Sequence, residues 1–372
     1  MSSWLYFALL ALLVFGVLFV EKKSKSKFFN YIPAVVIIYI FSMFFASLGA
    51  FHDPHIEASS DLAKKYILPA MLFLMLLQVD IRDFIKLGKK LFIAYILSVA
   101  SIVFAFIVVV WAFAFNPDMA GAFGALLGSW TGGMANMVAV GTALGVSKEA
   151  FGFTLIVDSI NYTIWLSFLL FLTPFASRLN AFFGSSEMAC TSIKVTHENK
   201  KKHSTFMLLL SLLVSMAVVF VAQSGFVVLN FTTTTVVLAT IIGIFSSWTK
   251  LSRVSGSSFV GNLMLYFLIA LIGSGAVFES FHGVFLYVFA GFCILLLHAL
   301  IMFLGAKLFK LDLFSIAVAS LANIGGVASA SILAATYDKK LVGIGVLMAV
   351  MGFVIGTFIG IGVGEILILI AR

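Results

Sequence analysis

The chain has 372 residues, 62% of them hydrophobic and only 10% charged, with a mean hydropathy of +1.18. A soluble domain carries about a quarter charged residues, so this composition excludes one. The 23 basic and 15 acidic residues leave a net charge of +8, which in so apolar a chain reads as basic residues held on the cytoplasmic side of a membrane rather than as a nucleic-acid surface.

Apolar runs long enough to cross a hydrocarbon layer of about 30 Å recur from end to end. Breaks at charged or turn-forming clusters predict spans at 3–20, 28–51, 66–85, 91–115, 121–145 and 151–173, then at 206–223, 231–247, 259–278, 284–308, 311–336 and 341–370. The chain is therefore an all-α polytopic membrane protein with about 11–13 transmembrane helices. It divides into a first half at 1–175, a polar connecting loop at 176–205 and a second half at 206–372. The first span lacks a basic flank before it and a small-residue cleavage site, and reads as retained. With Cys190 in the loop and Cys293 in a span, no disulfide framework is expected.

Lys and Arg accumulate on the cytoplasmic side and set orientation. In the first half Lys22, Lys23, Lys25 and Lys27, then Arg82, Lys86, Lys89 and Lys90, contrast with acidic Asp53, Glu57, Asp61 and Asp118. The amino terminus is thus predicted outside. In the second half Lys250, Arg253, Lys307 and Lys310 are predicted inside and Glu279 outside. Joined through twelve spans the two halves disagree about the 174–205 loop, so either one element between about 120 and 248 is miscounted, the preferred reading, or the weaker charge bias of the second half misleads. A parity break between similar halves is what an inverted repeat produces. Thr131-Gly132-Gly133-Met134-Ala135-Asn136 lies 193 positions before Ile324-Gly325-Gly326-Val327-Ala328-Ser329, with Asn136 meeting Ser329.

A glycine pair inside an apolar helix weakens it and permits unusual backbone angles, so both pairs are predicted break points. Freed backbone groups are tolerated in a membrane only when buried in protein or lining a polar cavity, and paired breaks point to a central binding site. Close helix packing through small residues is the alternative use of such glycines. The polar neighbours Ser129, Thr131 and Asn136 at one pair, and Asn323, Ser329 and Ser331 at the other, favour a site.

Asp158 stands within the 151–173 span with no basic residue in that span, and Asn161 and Thr154 share its helical face. A carboxylate there is costly unless protonated, hydrated or paired. It is the predicted seat of H⁺ or Na⁺. His298 is either a proton relay or a hydrogen-bonded neutral side chain, and Asp80, Asp83 and Asp312 at span ends read as solvated at the interface. Thr232-Thr233-Thr234-Thr235 is predicted to bond back onto helix carbonyls. His197-Glu198 with His203 fails the zinc spacing, and Gly88-Lys89-Lys90 fails the phosphate-loop pattern. No enzyme is predicted.

Gly128-Ser129-Trp130-Thr131-Gly132-Gly133-Met134-Ala135-Asn136-Met137-Val138-Ala139-Val140, followed by Asp158, resembles the integral-membrane family labelled domain of unknown function 819, the YjcL-like proteins. Ala322-Asn323-Ile324-Gly325-Gly326-Val327-Ala328 and the final span around Gly352, Gly356 and Gly360 extend the resemblance to nearly the whole chain. That family is grouped with the cation:proton antiporter and anion transporter superfamily. The resemblance implies two inverted repeats, each with a crossing helix broken at mid-membrane, and an essential acid at Asp158. Val157 and Ser159 flank Asp158, a departure from the paired acids or Asn-Asp pair of many proton antiporters.

The expected function is a secondary active transporter in which Asp158 binds H⁺ or Na⁺. Asn161, Asn136, Asn323, Thr131 and Ser329 would supply polar ligands, and Gly132, Gly133, Gly325 and Gly326 would present backbone groups. A passive channel and an intramembrane scaffold or enzyme are the alternatives. No cofactor beyond the coupling ion is expected. The partners are a small solute or ion and the lipid bilayer, with a homodimer open, and the location is a bacterial cytoplasmic membrane. The sign of the solute is left undecided, because broken helices offer both amino ends and carbonyls.

Overall fold

A computed structural model of the chain describes residues 2–24, 29, 33–51, 53–77, 87–185, 204–225, 230–276 and 283–372, and these are helical, without strands. The predicted features at 25–27, 78–86, 186–203 and Glu279 lie outside the described residues. The helices are α1 (Ser3–Lys23), α2 (Ala34–Ser47), α3 (Pro54–Leu76), α4 (Gly88–Phe113), α5 (Pro117–Gly132), α6 (Met134–Ala143), α7 (Lys148–Leu172) and α8 (Ala176–Phe183). They continue as α9 (Ser204–Gln223), α10 (Phe231–Ser247), α11 (Ser257–Gly273), α12 (Val284–Phe309), α13 (Leu313–Ile324), α14 (Gly326–Tyr337) and α15 (Val342–Ile370). Among the described residues six helical stretches, those of α1, α4, α7, α9, α12 and α15, are long and apolar enough to cross a membrane.

The chain forms two compact units that interleave in sequence. The first takes Met1–Gln78, Gly141–Ser159 and Asn199–Phe285, and the second Val79–Val140, Ile160–Glu198 and Leu286–Arg372. Each sequence half therefore contributes to both units. The order of elements also recurs: three helices (α1–α3, α9–α11), a long helix (α4, α12), a short pair (α5 and α6, α13 and α14) and a last long helix (α7, α15).

In the first unit α3 is central and packs against α9, α10 and α11, while α2 lies on α11 and α1 on both. Helix α3 starts twelve residues before the span predicted from hydropathy, because Asp53 caps it and Pro54 suits the first turn. The His55 backbone N–H bonding Asp53 Oδ1 at 2.9 Å holds that carboxyl below the usual carboxylate range. Tyr6 on α1 meets Ser274 at 2.7 Å, and Ser215 donates to the Tyr66 carbonyl at 2.6 Å. In the threonine run, Thr235 donates to the Phe231 carbonyl at 2.7 Å, as back-bonding requires, whereas Thr233 donates instead to the Ala143 carbonyl at 3.3 Å.

The second unit corrects the reading of 121–145 and 311–336 as single spans. A straight helix would separate Gly128 from Val140 by about 18 Å and Phe314 from Tyr337 by about 35 Å. Instead a methyl group on Gly128 would lie 2.9 Å from Val140 Cγ2. The Phe314 and Tyr337 rings stand 5.3 Å apart, edge to face. Both pairs of short helices fold back as hairpins. The first hairpin packs on α15, and α13 of the second packs on α4 and α15.

Helices α4 and α12 cross antiparallel. Leu97 lies against Gly305, Ser101 meets His298 at 2.7 Å and the Phe113 and Phe289 rings are 6.1 Å apart, so one helix advances as the other recedes.

Candidate functional site

The hairpin tips are built by the glycine pairs. Helix α5 ends at Gly132, Gly133 has φ +83° and α6 starts at Met134; α13 ends at Ile324 and Gly326 has φ +71° as α14 starts. The second glycine of each pair holds a left-handed backbone that other residues rarely adopt. With 16 residues in α5 and 12 in α13, the descending arms run about 24 Å and 18 Å. Both arms are shorter than a hydrocarbon layer of about 30 Å. Each tip sets the carbonyl end of one helix beside the N–H end of the next, so partial negative and partial positive charge stand together.

Each tip is clasped the same way. Asn136 Nδ2 donates to the Gly132 carbonyl at 2.6 Å, four residues back, and Thr357 of α15 donates its hydroxyl to Asn136 Oδ1. Ser329 donates to the Gly325 carbonyl at 2.8 Å, again four residues back, and so receives the Tyr162 hydroxyl of α7 at 2.7 Å. The last long helix of one half thus binds the hairpin of the other. On α15 a glycine stripe makes this close: a methyl on Gly352 would lie 2.6 Å from the Thr131 carbonyl oxygen, and one on Gly356 2.6 Å from Gly132 Cα. Small residues four apart let backbones approach to this range.

The predicted site residues divide between these arrangements. Thr131 is buried and donates to the Leu127 carbonyl at 2.7 Å, so its hydroxyl hydrogen is committed to its own helix. Asn323, 1% exposed, donates to Ser98 Oγ at 2.9 Å and to the Ala319 carbonyl at 3.0 Å, while its Oδ1 is buried with no hydrogen-bond partner. Asn161 donates to the Val288 carbonyl at 3.2 Å. Asp158 is 9% exposed and belongs to the Gly141–Ser159 segment of the first unit, whereas Asn161 belongs to the second. On α7 itself Thr154, Asp158, Asn161 and Tyr162 follow one buried or half-buried face. Thr154 spends its proton on the Phe151 carbonyl at 2.7 Å.

His298 is fully buried between two hydroxyls, with Nδ1 2.7 Å from Ser101 Oγ and Nε2 2.8 Å from Ser320 Oγ. Trp165 donates to Ser320 at 2.9 Å and Ser101 donates to the Ser98 carbonyl at 2.8 Å. A neutral ring protonated at Nδ1 satisfies every group: Ser320 donates to Nε2, and Nδ1–H donates to Ser101. This network ties α13 to α4, α7 and α12. Asp312, expected at a solvated interface, is instead fully buried as the cap of α13, accepting the Ser315 N–H at 2.9 Å and its hydroxyl at 2.8 Å. Asn116 caps α5 in the same way, accepting the Met119 N–H at 2.8 Å.

Sequence reasoning missed Tyr162, Thr357, Ser98, Ser101, Ser320 and Trp165. Tyr162 and Thr357 stand 195 positions apart, two more than the 193 between the glycine pairs, so the repeat offset applied to the last helices lands within two residues of each but does not pair them.

No match is found among the curated proteins. A family model described as a protein of unknown function, DUF819, matches residues 6–370, and the chain belongs to that family.

Proposed function

We propose that the chain is a secondary active transporter that moves a small solute or ion, coupled to H⁺ or Na⁺, by alternating access around its two hairpins. The carrying observation is the pair of glycine-tipped hairpins in one unit, each clasped by a hydroxyl from the last helix of the other half. Such tips offer carbonyls to a cation and N–H groups to an anion at a depth where lipid could satisfy neither. The unpartnered Asn323 Oδ1 beside the second tip adds an oxygen suited to a hard cation. Asp158 is the coupling carboxylate in this reading, since an acid in mid-span serves ions or protons by default. The unit with the hairpins is the moving body and the other the frame.

The antiparallel crossing of α4 and α12, which hold the same place in the two halves, supports an inverted repeat. A hairpin that returns to its own side also supplies the parity that loop charge demanded. The amino terminus then faces outside a bacterial cytoplasmic membrane.

The test is a thermal-shift screen of the purified chain with Na⁺ and small organic anions at several pH values, followed by liposome uptake of whichever solute stabilises it. Asp158→Asn should fold and unfold as the parent does yet lose gradient-driven uptake. Full ion-driven uptake by that variant would refute the assignment.

A further inference from the structure

Along the first unit, α1 and α2 leave between them an apolar groove of about 850 Å³. Leu9, Leu13, Gly16 and Val17 form one wall, Phe41 and Phe45 the other. From Leu9 to Ser24 it runs about 22 Å along α1, longer than one hydrocarbon leaflet of about 15 Å. Gly16 widens it, since a methyl there would meet nothing within 4 Å.

Its ends differ in charge. At the Ser24 end Lys22 and Lys23 are exposed, with Lys23 Nζ 4.6 Å from the Phe19 ring centre. One acid, Glu21, stands in the same turn, and α1 packs on α11 through another face, where Phe7 meets Phe267 at 6.3 Å. At the other end the wall closes at Phe51, two residues before Asp53. A molecule that is apolar along its length and anionic at one end fits this groove in one direction only.

We infer that the groove binds an anionic phospholipid, its acyl chains between α1 and α2 and its phosphate against Lys22 and Lys23. Polybasic positions next to a span attract anionic lipid by roughly a factor of five per lysine. This site is independent of the hairpins and of the transport reading.

Native mass spectrometry of the full chain, titrated with phosphatidylglycerol and with phosphatidylethanolamine of the same acyl chains, tests it. One phosphatidylglycerol per chain should bind at least fivefold more tightly than phosphatidylethanolamine. Lys22→Ala with Lys23→Ala should erase that preference while retaining the weaker binding. Gly16→Leu, which fills open space and improves helix propensity, should remove both lipids with the unfolding temperature unchanged; Leu13→Trp is the second filling variant. Equal retention of the two lipids by the parent chain would overturn the inference. So would a dimer that both filling variants dissociate, because a second copy would then be the occupant.

Discussion

At the scale of single residues, the clasps are hydrogen bonds in a medium where the unfolded reference also finds partners, so each is worth about 0.6 kcal/mol on average rather than the several expected of hydrocarbon. Thr357 is a special case, because removing its hydroxyl leaves Asn136 Oδ1 buried beside apolar neighbours, and an orphaned acceptor costs about 1–3 kcal/mol. Thr357→Val should therefore destabilise more than Thr357→Val does when Asn136 is already Ala, and a double-mutant cycle on thermal unfolding should return a coupling of about 1 kcal/mol. Additive losses would place the two groups out of contact. Asp312 obeys the same logic at a helix start. Asp312→Ala removes the acceptor of two bonds and should cost about 1–2 kcal/mol, while Asp312→Asn, which keeps a cap, should recover most of it. The sequence misleads here for a physical reason: a carboxylate near a span end looks the same whether water or a serine three residues on satisfies it.

The elements show where local signals stop. Both glycine pairs are legible in the sequence, because a helix break is set by the residues at the break. Whether the chain then continues or turns back is not, since two short antiparallel helices and one long one carry the same apolar period. Only the conflict in loop charge, which falls between about 120 and 248, pointed at the first hairpin. Cysteines at Phe314 and Tyr337, in a chain with Cys190 and Cys293 replaced, should be joined by a short bis-maleimide, since the rings they replace stand 5.3 Å apart. A through-going helix would hold them about 35 Å apart and forbid it. The stripe on α15 gives a second test at this scale. Gly356→Val drives a side chain into Gly132 Cα and the Asn136 amide, both backbone or clasped groups that cannot yield, whereas a methyl at Gly362 meets nothing within 4 Å. Gly356→Val should lower the unfolding temperature and any ion-dependent stabilisation together; Gly362→Ala should leave both unchanged.

For the whole molecule, the question is which side of the membrane each hairpin enters from. Equivalent helices that cross antiparallel, as α4 and α12 do through Leu97 with Gly305 and Phe113 with Phe289, require an odd number of crossings from the start of one to the start of the other. Six through-going elements per half would give an even number and parallel repeats. Counting each hairpin as a return to its own side leaves five, and the sign reverses. With the amino terminus outside, as proposed, the first hairpin opens outward and the second inward. Asp118 at the start of α5 should be reached by an impermeant maleimide from outside when replaced by cysteine. Lys310 and Lys339, which bracket α13 and α14, should as cysteines be reached only from the cytoplasmic face. Labelling of all three from one side would make the repeats parallel, and labelling of Lys310 and Lys339 from opposite sides would turn the second hairpin back into a crossing helix. Such a result would also remove the reason for buried polar tips to face each other's half, and alternating access would lose its structural basis.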